Sequence, residues 1–178
     1  MRTPSEQWTP RRGNGIMKAM NGYELPRRST IGSAAYDFFA PEDIHLVPGQ
    51  WTDVDTGVSF DGEEKLSMYM TSELSIVGMP DATFEEDKWI NRWFLMCLPR
   101  SGQGFKHKVR MANTAGIVDQ DYRQTIKARL TADDEITIPK GTAFMQGIFL
   151  PYLTLEDEII PTEGRKGGFG STDRKGSE

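Results

Sequence analysis

Turn-forming residues cut this chain into short pieces. Eighteen glycines and ten prolines are spread over 178 residues, and the apolar segments between them have the length of strands rather than helices. Candidate strands fall within Gly32–Ala40 and over Ile44–Val47, Trp51–Phe60, Ile90–Leu98, Thr125–Leu130, Glu135–Ile138, Ala143–Leu150 and Leu155–Ile160. In Trp51–Phe60 the residues Thr52, Val54, Thr56 and Val58 share one face at period 2, which reads as a single strand. Pro48-Gly49 and Pro139-Lys140-Gly141 mark turns. No helical period persists beyond about ten residues, and Leu66–Val77 reads as either a strand or a short helix. The expected architecture is therefore all-β, a sandwich or barrel.

Charge narrows the range of partners. The formal net charge is -5, which argues against general nucleic-acid binding. From Asp61 to Asp87 there are eight acids and one base, whereas Pro99 to Leu130 holds seven bases and two acids. A basic stretch in an acidic protein suits a small polyanion, although on charge alone a solvated strand face is the commoner case. No apolar run reaches the ~18 residues of a membrane span. Met1–Asn14 is polar and holds no signal core, so a cytoplasmic protein is expected. The single cysteine, Cys97, lies in the apolar stretch Trp93–Leu98 and reads as a core residue. His45 and His107 have no partners at zinc-ligand spacing. Arg2–Arg28 is polar and reads as a surface segment, and Pro161–Glu178, with five glycines and one large apolar side chain, reads as a flexible tail.

Three segments carry chemistry. Pro99-Arg100-Ser101-Gly102, with Gly104 and Lys106 beyond it, sets a guanidinium, a hydroxyl and glycine-exposed N–H groups after a strand. Phosphate oxygens need such donors at close range, although the same residues describe an ordinary turn. Gly116-Ile117-Val118-Asp119-Gln120-Asp121-Tyr122-Arg123 puts two carboxylates at a strand end, where one can serve as general base and the other can hold a hairpin. Gly167-Gly168-Phe169-Gly170-Ser171-Thr172, preceded by Arg165 and Lys166, joins an anion-binding set to one aromatic face, as a lid or as a linker.

Each segment is weak alone, and their order is specific. The chain resembles the trimeric dUTPase family over most of residues 29 to 172, as a divergent, phage-type member. Its five motifs are matched in order by Gly32-Ser33-Ala34-Ala35-Tyr36-Asp37, Pro99–Gly102, Asn113–Arg123, the weaker Ala143-Phe144-Met145-Gln146, and Gly168–Thr172. The resemblance implies a jelly-roll-like β-barrel with a flexible glycine-rich C-terminal tail, organised as residues 1–160 with an insertion at about 62–86, and a lid over 161–178. It implies a homotrimer with active sites between subunits.

The implied reaction is hydrolysis of dUTP to dUMP and pyrophosphate, which controls the dUTP level and supplies dUMP for thymidylate synthesis. By resemblance, Asp119 activates the water that attacks the α-phosphorus. Asn113 and the backbone of Gly116, Ile117 and Val118 read the uracil edge, and Tyr122 packs under the deoxyribose. Arg100, Ser101 and Gly102 hold the phosphates, Gln146 joins them through magnesium-bound water, and Lys127 is a further substrate-binding residue. Phe169 stacks on the base from the tail, with Arg165, Gly170 and Ser171 closing on the phosphates. Mg2+ is the implied cofactor, held mainly by the triphosphate, with Asp37 as an outer-shell partner through water.

Two departures bear on these assignments. Gly164 stands where the family's tail arginine usually lies, with Arg165 one position later. The insertion stands in a place where related chains have a short connection, and a loop of that length usually carries function or is disordered. A regulatory role through a protein partner bound at 62–86 is one alternative. A dCTP deaminase is the other, and it requires a glutamate where this chain has Arg129.

Overall fold

The structure is a computed structural model and describes residues 17–60 and 93–152. The insertion at 62–86, the expected strand Leu155–Ile160 and the tail with Arg165, Phe169, Gly170 and Ser171 lie outside the described residues.

The elements are β1 (Met17–Ala19), β2 (Tyr36–Phe39), β3 (Ile44–Leu46), β4 (Thr52–Asp55), β5 (Val58–Phe60), β6 (Trp93–Pro99), α1 (Ser101–His107), β7 (Arg110–Met111), β8 (Gly116–Asp119), β9 (Lys127–Thr131), β10 (Ile136–Ile138) and β11 (Ala143–Pro151). They form a four-stranded sheet in the order β2-β11-β6-β8, a three-stranded sheet β4-β9-β7, and the pairs β1-β5 and β10-β3. Every pairing is antiparallel.

The expectation of a strand-rich fold holds, with three local corrections. Pro99–Gly102 is not a simple turn, because residues 101–107 form the short helix α1. The run Trp51–Phe60 is not one strand. It breaks at Gly57, whose φ is +64°, and its two halves join different sheets. A Cβ at Gly57 would stand 2.1 Å from the Tyr23 ring, so glycine is required there both by the left-handed backbone and by the ring lying against it. Arg2–Arg28 is not wholly a surface segment, since Met17 and Ala19 are buried in β1, which pairs with β5.

One buried cluster joins residues of all the sheets, among them Phe38, Leu95 and Met145 of the four-stranded sheet and Val54, Leu130 and Ile138 of the others. Along β6 the residues Trp93, Leu95 and Cys97 are buried while Phe94, Met96 and Leu98 are only partly so, the alternation that a half-covered strand requires. Phe60 and Trp93 meet edge to face at 4.9 Å between ring centres, and Trp93 meets Phe149 at 5.3 Å. Such pairs add about 0.5–1.5 kcal/mol beyond area burial. Burial pushes the Cys97 thiol up to about 12, which leaves it protonated and unreactive at neutral pH.

Candidate active site

Strand register brings three distant segments to one end of the four-stranded sheet. Asp37 of β2 lies opposite Gln146 of β11, and Gln146 lies opposite Leu98, immediately before Pro99-Arg100. The register of β11 shifts between Ala143 and Met145. Bulges of this kind bend a strand and re-aim its groups. Here the Ala143 carbonyl accepts a hydrogen bond from Arg100 Nη1 at 3.3 Å.

Arg100 is the centre of this cluster. Its Nε lies 3.0 Å from Asp37 Oδ1, with the arginine side chain about one-third exposed and the aspartate nearly buried. Asp37 Oδ2 accepts the Ser29 hydroxyl at 2.5 Å. Gln146 donates from Nε2 to the Pro99 carbonyl at 3.1 Å, which fixes the residue before Arg100. The guanidinium is thus pinned on two sides while the rest of its fork remains available. Ser101 and Gly102 follow at the exposed start of α1, and the space where a Cβ of Gly102 would stand is open.

The second cluster is the segment around β8. Thr114 adopts a left-handed backbone, φ 58°, which is uncommon for a β-branched residue and tends to persist where the surroundings enforce it. The resulting turn presents Asn113, whose amide nitrogen lies 3.4 Å from where a Cβ of Gly116 would stand. Gly116 is buried, Ile117 is exposed and Val118 packs against the core. After Asp119 the chain turns sharply, with the Tyr122 N–H donating to the Asp119 carbonyl at 3.0 Å. Tyr122 is buried and its hydroxyl donates to the Thr125 carbonyl at 3.3 Å. Gln120 ties this turn to the sheet by accepting the Trp93 N–H at 3.1 Å, and Arg123 grips the Gln120 carbonyl at 2.6 Å.

The two clusters do not meet within one chain. Asp119 pairs with Phe94, and Arg100 lies six positions further along, a separation of about 20 Å at ~3.3 Å per residue. Lys127 also stands apart from Arg100. It is on β9, 3.6 Å from Asp55, on the exposed face of the three-stranded sheet. That face carries a row of ion pairs, with Arg129 bidentate on Asp53 at 2.6 and 2.8 Å and Asp133 shared by Arg110 and Lys108. The Arg129 hydrogen bond holds the Asp53 carboxyl below the usual carboxylate range. Three of the seven bases between Pro99 and Leu130, Arg110, Lys127 and Arg129, therefore belong to a solvated strand face, one of the two readings their charge allowed. Ser29 was not flagged by the sequence, and the partners of the motif residues Ala143 and Gln120 were not either, because they are defined by register and not by spacing.

Known proteins decide the family. A model of the dUTPase family matches residues 95–173. The chain is 31% identical over 160 residues to the deoxyuridine 5'-triphosphate nucleotidohydrolase of Lactococcus lactis subsp. lactis, spanning 85% of this chain and 89% of that protein. It belongs to the dUTPase family. The Brucella melitensis biotype 2 protein of the same name is 31% identical over 180 residues, 96% of this chain and 98% of its own. Among solved structures, the dUTPase of Staphylococcus bacteriophage 80alpha superposes with a TM-score of 0.57 at 16% identity, over 85% of this chain and 97% of that one. The Streptococcus mutans dUTPase gives 0.56 at 20% identity, over 79% and 98%. The likeness to the phage protein is one of fold, whereas the sequence relatives named here are bacterial.

Proposed function

We propose that this chain hydrolyses dUTP to dUMP and pyrophosphate, using Asp119 to activate the attacking water and the Arg100 cluster to hold the triphosphate. The observation that carries this reading is the convergence of Asp37, Pro99-Arg100 and Gln146, three family motifs far apart in sequence, on one sheet end. They leave a pinned guanidinium facing outward. An arginine fork matches phosphate oxygens, and preorganising it avoids reorientation as charge shifts on the phosphorus.

The carboxylate of Asp119 accepts the water's proton as the oxygen bonds to the α-phosphorus, and the bond to the bridging oxygen breaks to release pyrophosphate. Asn113 and the backbone of Gly116, Ile117 and Val118 read the uracil edge, where an unmatched buried polar group penalises cytosine. Tyr122 lies under the deoxyribose and excludes a 2′-hydroxyl. Ser101, Gly102 and Gln146 complete the substrate contacts, whereas Lys127, paired with Asp55 on the β4–β9 face, takes no part in them; Phe169 stacks on the base while Arg165, Gly170 and Ser171 close on the phosphates. Residues 161–178 act as the lid of a domain formed by 1–160, whose strands close into the family's jelly-roll-like barrel.

The Asp37 environment is compatible with Mg2+ held chiefly by the nucleotide. Each Asp37 oxygen has one partner and keeps a further lone pair for a water of the ion's shell. When bound, the ion neutralises phosphate charge as the leaving group departs.

Because Asp119 and Arg100 stand about 20 Å apart in one chain, the site takes Asp119 from one subunit and Arg100 from another, which supports a homotrimer. Phe60 and Trp93, the described residues on either side of the segment that holds the 62–86 insertion, pack ring against ring. A second role for residues 62–86 is binding a protein partner. Deamination of dCTP is disfavoured by Arg129, which occupies the required glutamate position and is committed to Asp53.

The test is pyrophosphate release from dUTP, dCTP, dTTP and UTP side by side. dUTP should be strongly preferred, and Asp119→Asn should lose ~10²–10⁴ in rate while still binding dUTP. Asp119→Asn retaining more than about a tenth of the rate would remove Asp119 as the base.

A further inference from the structure

The loop before β2 holds a residue outside the family motifs in hydrogen-bond contact with the phosphate cluster. We infer that Ser29 is a positioning residue for the triphosphate, acting through Asp37 to set the orientation of Arg100. This rests on the reading of Arg100 as a phosphate-holding residue.

Asp37 is 7% exposed, and a carboxylate so little hydrated needs partners on both oxygens. Arg100 Nε serves one at 3.0 Å and Ser29 Oγ serves the other at 2.5 Å. The short O–H···O contact is in the range of charge-assisted bonds. Ser29 does not reach Asp37 by chance of rotamer, because the chain is fixed on both sides of it. Two residues earlier, Arg27 and Asp37 exchange backbone hydrogen bonds at 2.9 and 3.2 Å. Immediately afterwards, the Ser33 hydroxyl accepts the Thr30 N–H at 3.1 Å and meets the Thr30 hydroxyl at 2.9 Å, while the Ser33 N–H donates back to the Thr30 carbonyl. The Arg28 guanidinium donates to the Ser33 carbonyl at 3.3 Å. This braced loop locks the carboxylate plane of Asp37.

The carboxylate plane in turn decides where Arg100 points. With Nε on Asp37 and Nη1 on the Ala143 carbonyl, the guanidinium plane is defined, and the side chain stays about one-third exposed. Without the Ser29 hydroxyl, Asp37 can rotate about its last torsion, and Arg100 loses a fixed reference. The cost falls on phosphate contacts and not on base recognition, whose residues lie on the β8 segment.

The experiment is a double-mutant cycle on the full chain with Ser29→Ala, Ser29→Thr, Arg100→Gln and the Ser29→Ala/Arg100→Gln pair. The readouts are KM and kcat for dUTP, the inhibition constant of deoxyuridine, which has no phosphate, and the melting temperature. Ser29→Ala should raise KM for dUTP by roughly fivefold with kcat little changed and deoxyuridine inhibition unaltered. Ser29→Thr should restore KM, and Ser29→Ala should add nothing to Arg100→Gln. Additive effects of the two substitutions, or equal weakening of deoxyuridine and dUTP, would overturn the positioning role and leave Ser29 a structural residue. An unchanged KM in Arg100→Gln would instead overturn the phosphate role of Arg100, and the inference with it.

Discussion

Two arginine–aspartate pairs on this molecule use the same residue types for different ends. Arg129 and Asp53 face each other across β9 and β4, both largely exposed, and two parallel hydrogen bonds engage the guanidinium fork. Arg100 meets a nearly buried Asp37 through Nε, borrows a backbone carbonyl for Nη1, and keeps the rest of its fork open. A cation paired bidentately at the surface is already satisfied, and such pairs contribute little. A cation pinned from behind by a buried carboxylate is preorganised for an anion that arrives later. Burial of the acid, and not the presence of a base, separates a strand-face ion pair from a binding residue.

Removing each guanidinium should break the comparison most sharply. Arg100→Ala is expected to lower kcat/KM for dUTP by ~10²-fold or more, since a charge-assisted bidentate contact is lost at the phosphates. Arg129→Ala should stay within about twofold of the parent on the same assay, because its guanidinium serves only Asp53 on a surface face. Comparable losses in both variants would place the β4–β9 face in the substrate path and revive a broader basic binding surface.

The smaller effect lies in stability against pH. Arg129 holds the Asp53 carboxyl below its usual range, so its contribution is present above the ordinary aspartate value of ~3.9 and is lost as pH falls through the lowered folded value. Arg129→Gln should therefore melt slightly below the parent at pH 7, with the gap closing on acidification below about pH 4. A gap that persists at pH 2 would assign the difference to packing of the arginine stem and not to the pair.

The sequence made the strand-rich architecture legible because each strand announces itself locally, by alternation in β6 and by the turn residues around β10 and β11. It failed where the outcome depends on a distant partner. The run Thr52–Val58 alternates perfectly, yet Gly57 takes a left-handed backbone under the Tyr23 ring and sends the two halves to different sheets. The helix α1 spans only 101–107 and buries no side chain, so it carries no amphipathic pattern to read. Within the candidate site, Asp37, Arg100 and Gln146 were found through motif order, and register then explains why that order matters. Ser29 had no signal of its own, since it acts by a single hydrogen bond to a residue that folding alone brings near.

Two clusters on one chain, too far apart to share one triphosphate, form the centre of this account. The most direct test mixes Asp119→Asn chains with Arg100→Ala chains, each strongly impaired alone, after co-expression or joint refolding. If each site draws Asp119 and Arg100 from different subunits, about a quarter of the sites in a random mixture hold both intact groups, and dUTP hydrolysis returns in that proportion. A mixture as inactive as its components would show that both groups act from the same chain, and would contradict the intersubunit site.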